Sequence, residues 1–204
     1  GAALRPYPFP DEHAPGYLGT ALAFHFINRV VSALLTEQVL PGGAQRLRAV
    51  RSLAGRALGR TVRRSAEPGA SLPLLDTLGP GPHWALGTPI GPAYAALAAA
   101  ARSGAGLLDP HERVLVHHAV REWDGSHPSA VLRGFPPRRE RPGARLALLA
   151  ALAPYRITDE DVAAWHMPWH NDEQLVRLIA YGAFLAVDRI ESALAPEIAG
   201  QTVS

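Results

Sequence analysis

The chain has 204 residues, 20 basic against 18 acidic for a formal net charge of +2, and no cysteine. Every basic residue is arginine, so disulfides, thiolate metal sites, thiol nucleophiles, Schiff-base amines and a P-loop ammonium are all excluded. So small a charge excess gives no reason to expect a nucleic acid or another polyanion as partner.

In chain order, the apolar residues Leu18, Ala21, Leu22, Ile27, Val31 and Leu34 follow helical spacing over residues 17–38, and Pro41-Gly42-Gly43 ends that segment. Leu47, Val50, Ala54, Leu58 and Val62 then form an apolar stripe opposite Arg46, Arg48, Arg56, Arg60, Arg63 and Arg64, an amphipathic helix over residues 44–64. A Pro/Gly-rich stretch over residues 65–92 is too long for an ordinary turn and reads as a connection between larger units. An alanine-rich helix is expected over residues 93–102. Asp109-Pro110-His111-Glu112 supplies an N-cap, a first-turn proline and an acid at N3 for the next helix, which runs to about Trp123. After an irregular stretch, a helix is expected over residues 144–152. Thr158 with Asp161 caps a short helix to Trp165, and Asn171 with Gln174 caps a long one ending near Pro196. No segment alternates as a half-buried strand does, which predicts an all-α fold.

The first and last of these helices share a signature. Phe24, Ile27, Asn28, Arg29, Val30, Ser32, Ala33 and Leu34 return 160 positions later as Phe184, Val187, Asp188, Arg189, Ile190, Ser192, Ala193 and Leu194. This suggests an internal duplication with one partial and one complete repeat. The expected organisation is the end of a first repeat over residues 1–64, the connection over 65–92 and a second repeat over 93–204. The chain opens at Gly1 and its sole methionine is Met167, so it reads as a portion of a longer protein. No run reaches the roughly 18 apolar residues of a membrane span and no signal peptide is evident, so a soluble, cytoplasmic protein without a membrane partner is expected.

Several of these residues resemble a known family. Arg145-Leu146-Ala147-Leu148, Ala153 through Val162, Asn171-Asp172-Glu173-Gln174 and Phe184 to Ile190 are similar, in order, to the end of the AhpD-like alkylhydroperoxidase and carboxymuconolactone decarboxylase superfamily. His25 to Val30 is similar to the closing helix of that pattern a second time. The resemblance implies an AhpD-like helical repeat and peroxidase chemistry in the full-length parent; no cofactor is expected, and the apolar helix surface that a truncated repeat leaves without an intrachain partner predicts a homo-oligomer, with the helices over residues 17–64 at its interface. Peroxidase members carry a Glu about twelve residues ahead of a Cys-x-x-Cys, followed by a His. Placing Glu112 on that acid puts Asp124 and His127 at the thiols and Val131 at the histidine. Anchoring on Gly125 instead gives Ser126, Ser129 and Arg133. Neither placement contains a thiol, so the disulfide cycle cannot run here. The resemblance would put the missing motif in an N-terminal part upstream of Gly1.

Among the residues themselves, Glu112, His118 and Glu122 fall with Leu115 and Ala119 within an arc of about 120° on one helix, a face suited to acid/base work. The plainer reading makes Glu112 a cap and His118 with Glu122 a surface i,i+4 pair. His166 and His170 could join His117, His118 or His127 at a metal, but Pro168 breaks the helix such ligation needs, so no metal is expected. Trp165 and Trp169 read as packing anchors. The arginine face of residues 44–64 lacks interleaved aromatics and reads as solvated or paired with a neighbouring subunit. Asn28, Arg29, Asp188 and Arg189 read as structural polar pairs between helices. Three functions follow in order: a thiol-free part completing an AhpD-like oxidoreductase and its oligomer, an acid/base lyase or isomerase of the decarboxylase branch, and a helical interaction module.

Overall fold

The computed structural model describes residues 10–34, 67–75, 79–126, 135–166 and 170–199, and every regular element among them is helical. Among the described residues there are six α-helices: α1 (Ala14–Leu34), α2 (Ile90–Arg102), α3 (Pro110–Arg121), α4 (Pro142–Leu152), α5 (Asp159–Trp165) and α6 (Asp172–Ala199). The expected basic helix over residues 44–64 lies outside the described residues.

The capping motifs are realised in detail. Asp109 accepts from the Glu112 N–H at 2.9 Å while Glu112 reaches back to the Asp109 N–H at 3.4 Å. Asn171 and Gln174 exchange the same pair of bonds at 2.9 and 3.0 Å to open α6. Each pair satisfies two of the donors that a helix start leaves without partners. Two helix starts move outward from expectation. Helix α2 includes Gly91 and Pro92, and α4 begins at Pro142, because a first-turn proline removes only an N–H that has no intrahelical acceptor. At its other end α6 continues past Pro196 to Ala199. A proline there cancels a single rung near the end of the helix.

Helix α6 is the spine. Leu178, Ile179, Tyr181 and Leu185 enter one apolar cluster with α3, α4 and Trp165. Phe184 and Val187 enter a second with Leu22, Trp84, Tyr94 and Ala98. Helix α4 is apolar on all sides and buried from Leu146 to Leu152, as such a helix must be. It lies directly on α6. A Cβ at Gly182 would come within 2.2 Å of the Ala147 carbonyl oxygen, so only glycine permits this separation. Gly104 makes the same allowance for the Arg177 carbonyl, again at 2.2 Å.

The Pro/Gly-rich connection is more than a spacer. Its Trp84 and Ala85 are buried, and the Trp84 indole N–H donates to Glu191 Oε1 at 2.9 Å. Tyr94 donates to the other oxygen of that carboxylate at 2.8 Å, which ties α2 and the turn at His83–Ala85 to α6. Helix α1 crosses α6 with Phe26 against Phe184, ring centroids 6.0 Å apart and edge-on. The two signature helices differ in exposure: Phe24 is 64% and Ile27 52% exposed, whereas Phe184 and Val187 are buried.

Candidate functional site

Helix α3 stands with one side on α4 and α6 and the other in solvent. Its buried residues Val116 and Val120 fix that orientation, and from it the places of the candidate residues follow. Glu112, in the first turn, faces α4, where its Oε1 accepts from the Ala144 N–H at 3.3 Å. This carboxylate therefore binds two helix starts, α3 through Asp109 and α4 through Ala144. His118 is exposed, on a shallow depression shared with Pro110, Arg113, Val114 and Arg121. Glu122, also exposed, is the C-cap residue, and its N–H donates to the His118 carbonyl at 3.0 Å. Glu112 and Glu122 lie ten residues apart, so the helix separates them by roughly 15 Å along its axis. The three candidates share a helix, but Glu112 is engaged between helices while His118 and Glu122 meet water.

Of the positions aligned with the family's thiols, Asp124 and Ser126 are described. Asp124 Oδ1 accepts from the Ser126 N–H at 2.8 Å, and the Trp123 indole donates to the Ser126 carbonyl at 2.8 Å. Glu112 lies in the first turn of α3, whereas Asp124 lies beyond its C-terminal end. His127, Ser129, Val131 and Arg133 lie outside the described residues, as does Trp169. His170 stacks on Trp165 with centroids 4.1 Å apart, and its Nδ1 lies 2.8 Å from the Trp165 carbonyl. His166 Nε2 comes 4.0 Å from Asp172. These histidines meet the turn between α5 and α6 rather than each other.

Three of the four signature polar residues bridge helices. Arg29 Nε donates to the Ala151 carbonyl at 3.0 Å, and Arg189 Nε to the Arg121 carbonyl at 3.1 Å. Arg102 Nη2 meets both Asp188 oxygens at 3.0 Å. Burial pushes the Asp188 carboxyl up, and Arg102 opposes the rise. Asn28 is exposed.

Two polar clusters were not legible in the sequence as clusters. In the first, His117 Nε2 lies 2.9 Å from the Tyr181 hydroxyl, with the rings edge-on at 6.1 Å. His117 and His118 are neighbours on one helix, separated by about 100° of rotation, and only the packing of α6 decides which of them meets the tyrosine. In the second, Asp161 is 1% exposed, and its Oδ1 accepts from both Arg138 Nε and Arg145 Nε at 2.7 Å. Its other oxygen accepts from the Thr158 N–H at 3.2 Å. This buried knot joins the cap of α5 to α4.

Comparison with known proteins places this architecture. No family model matches the sequence, and no solved structure matches it. A curated relative does: the alkyl hydroperoxide reductase Rv2159c of Mycobacterium tuberculosis, 37% identical over 206 aligned residues that cover 96% of this chain. The chain spans 59% of that protein's length. The motif order, the all-α architecture and this identity along nearly the whole sequence all point to the AhpD-like superfamily.

Proposed function

We propose that this chain is a thiol-free portion of an AhpD-like oxidoreductase, one that completes the helical fold and the oligomer and is itself silent in peroxide reduction. The observation that carries the reading is the absence of cysteine from a chain similar to an alkyl hydroperoxide reductase over 96% of its residues. Thiol-dependent peroxide reduction needs a thiolate to take one peroxide oxygen as a sulfenic acid while the alcohol leaves. A second thiol then expels water and closes the disulfide, which an external dithiol reopens. Neither sulfur exists here. In this reading the Cys-x-x-Cys belongs to an N-terminal part of the parent protein.

The structural half of the proposal draws on α1. Tyr17, Phe24, Ile27 and Val31 are exposed at intervals of seven, three and four residues, one apolar seam along the helix. Beside it lies a largely apolar groove of about 760 Å³, bordered by Pro15, Pro89 and Ile90. The seam carries no charge. Apolar surface of this kind supports association, either with the rest of the parent or with a second copy.

Two assays test the proposal. The purified chain, given cumene hydroperoxide and dithiothreitol, should consume peroxide no faster than the buffer, whereas a parent that supplies the motif should turn it over. Peroxide turnover by the chain alone would refute the silent assignment.

A further inference from the structure

A cleft of about 360 Å³ opens between α3 and α6. Its floor is apolar, formed by Val120 and Leu185, and its walls carry His117, Arg121, Asp188 and Arg189. The question is what these groups leave available to a ligand.

The acidic wall is already neutralised, because Arg102 grips both oxygens of Asp188. The basic walls are not. Arg121 makes no side-chain hydrogen bond to any described residue, and Arg189 uses only its Nε, on the Arg121 carbonyl. Two guanidinium groups therefore remain as donors over an apolar floor. Beside them His117 Nε2 lies 2.9 Å from the Tyr181 hydroxyl, whose pKa burial pushes up while the charge of Arg113 pulls it back.

Planar guanidinium groups match a carboxylate two-pointedly, and the Val120–Leu185 floor gives an apolar body something to cover. Inorganic phosphate would use the charges but leave the floor wet. We propose that this cleft binds a small organic monocarboxylate, its head on Arg121 and Arg189 and its apolar body on Val120 and Leu185. The volume falls within the range of pockets that enclose small ligands. This site stands independently of the part the chain plays in a larger oxidoreductase.

The test is a titration of the ¹⁵N-labelled full chain with sodium benzoate, followed through the amide signals of His117, Val120, Arg121 and Leu185. Saturable shifts centred on these residues are expected, with benzamide and sodium phosphate each binding about tenfold more weakly or worse. Arg121→Gln should weaken benzoate by a similar factor, and Arg121→Lys by less. Arg121 is exposed, so neither variant should alter the circular dichroism spectrum. Benzamide or phosphate binding as tightly as benzoate, shifts that do not saturate, or unchanged affinity in Arg121→Gln would overturn the proposal. The benzamide comparison needs no variant and decides the matter even if a substitution disturbs the fold.

Discussion

Arg29 and Arg189 perform the same structural act at opposite ends of the chain: each donates its Nε to a backbone carbonyl at the C-terminal end of another helix. Arg29 reaches Ala151, the penultimate residue of α4, at 3.0 Å, and Arg189 reaches Arg121, the last residue of α3, at 3.1 Å. The last carbonyls of a helix lack intrahelical donors and carry the negative end of its dipole, so a cation there satisfies both needs. Arg29→Ala should therefore cost about 2 kcal/mol in urea unfolding, and Arg29→Lys should recover little, since an ammonium lacks the side-on N–H of the guanidinium. Full recovery by lysine would show that charge alone is required.

Gly182→Ala tests the contact between α4 and α6. The added methyl would meet the Ala147 carbonyl oxygen at 2.2 Å and its Cα at 2.9 Å, both backbone atoms that cannot rotate aside. The helices must separate, which should cost about 3 kcal/mol and loosen the packing of Leu178, Ile179 and Leu185. Thermal melting reads the loss directly; an unchanged midpoint would mean that the helices are not so closely seated.

Asp161 gives the fold an acid-sensitive component. Burial alone would push its carboxyl up, but hydrogen bonds from Arg145, Arg138 and the Thr158 N–H outweigh that and hold it below the usual range. The folded value thus lies under the unfolded one of about 4. Its contribution is present well above pH 4 and is lost as the pH falls through the folded value. Asp161→Asn should cost about 3 kcal/mol at pH 7, the lower end of the buried-pair range because both arginines reach water. The stability gap between the two proteins should stay constant from pH 7 to about pH 5 and narrow below about pH 4. A gap that closes already between pH 7 and pH 5 would assign the effect to another group.

Phe24→Glu addresses assembly. The residue is 64% exposed in the middle of the α1 seam, so a charge there should leave the helix and the core intact. Light scattering at micromolar concentration should give more than one chain per particle for the native sequence and a smaller particle for the variant. A native monomer would remove the oligomeric part of the proposed function.

What the sequence made legible is what acts over one turn of chain. The pairs Asp109 with Glu112, Thr158 with Asp161 and Asn171 with Gln174 join residues three apart, and each forms the cap its spacing predicts. Helical periodicity predicts an all-α fold, and the lack of cysteine excludes thiol chemistry. Even the motif order that resembles the AhpD-like superfamily is a property of sequence alone.

The tertiary structure decided which long-range partners those helices bring together. Tyr181 and His117 are 64 residues apart, and Trp84 and Glu191 are 107 apart. Nothing in local spacing distinguishes His117 from His118, shows that Glu112 turns toward Ala144, or draws Trp84 out of a Pro/Gly-rich connection into the core. The first two follow from how α6 seats against α3 and α4, through the missing side chain of Gly182 and the burial of Leu178, Ile179 and Leu185, and the third from the cluster that Trp84 joins with Leu22, Tyr94 and Phe184. Caps and periodicity are set by hydrogen bonds within a turn of the backbone, whereas a site is set by the packing of surfaces that meet only once the whole chain has folded.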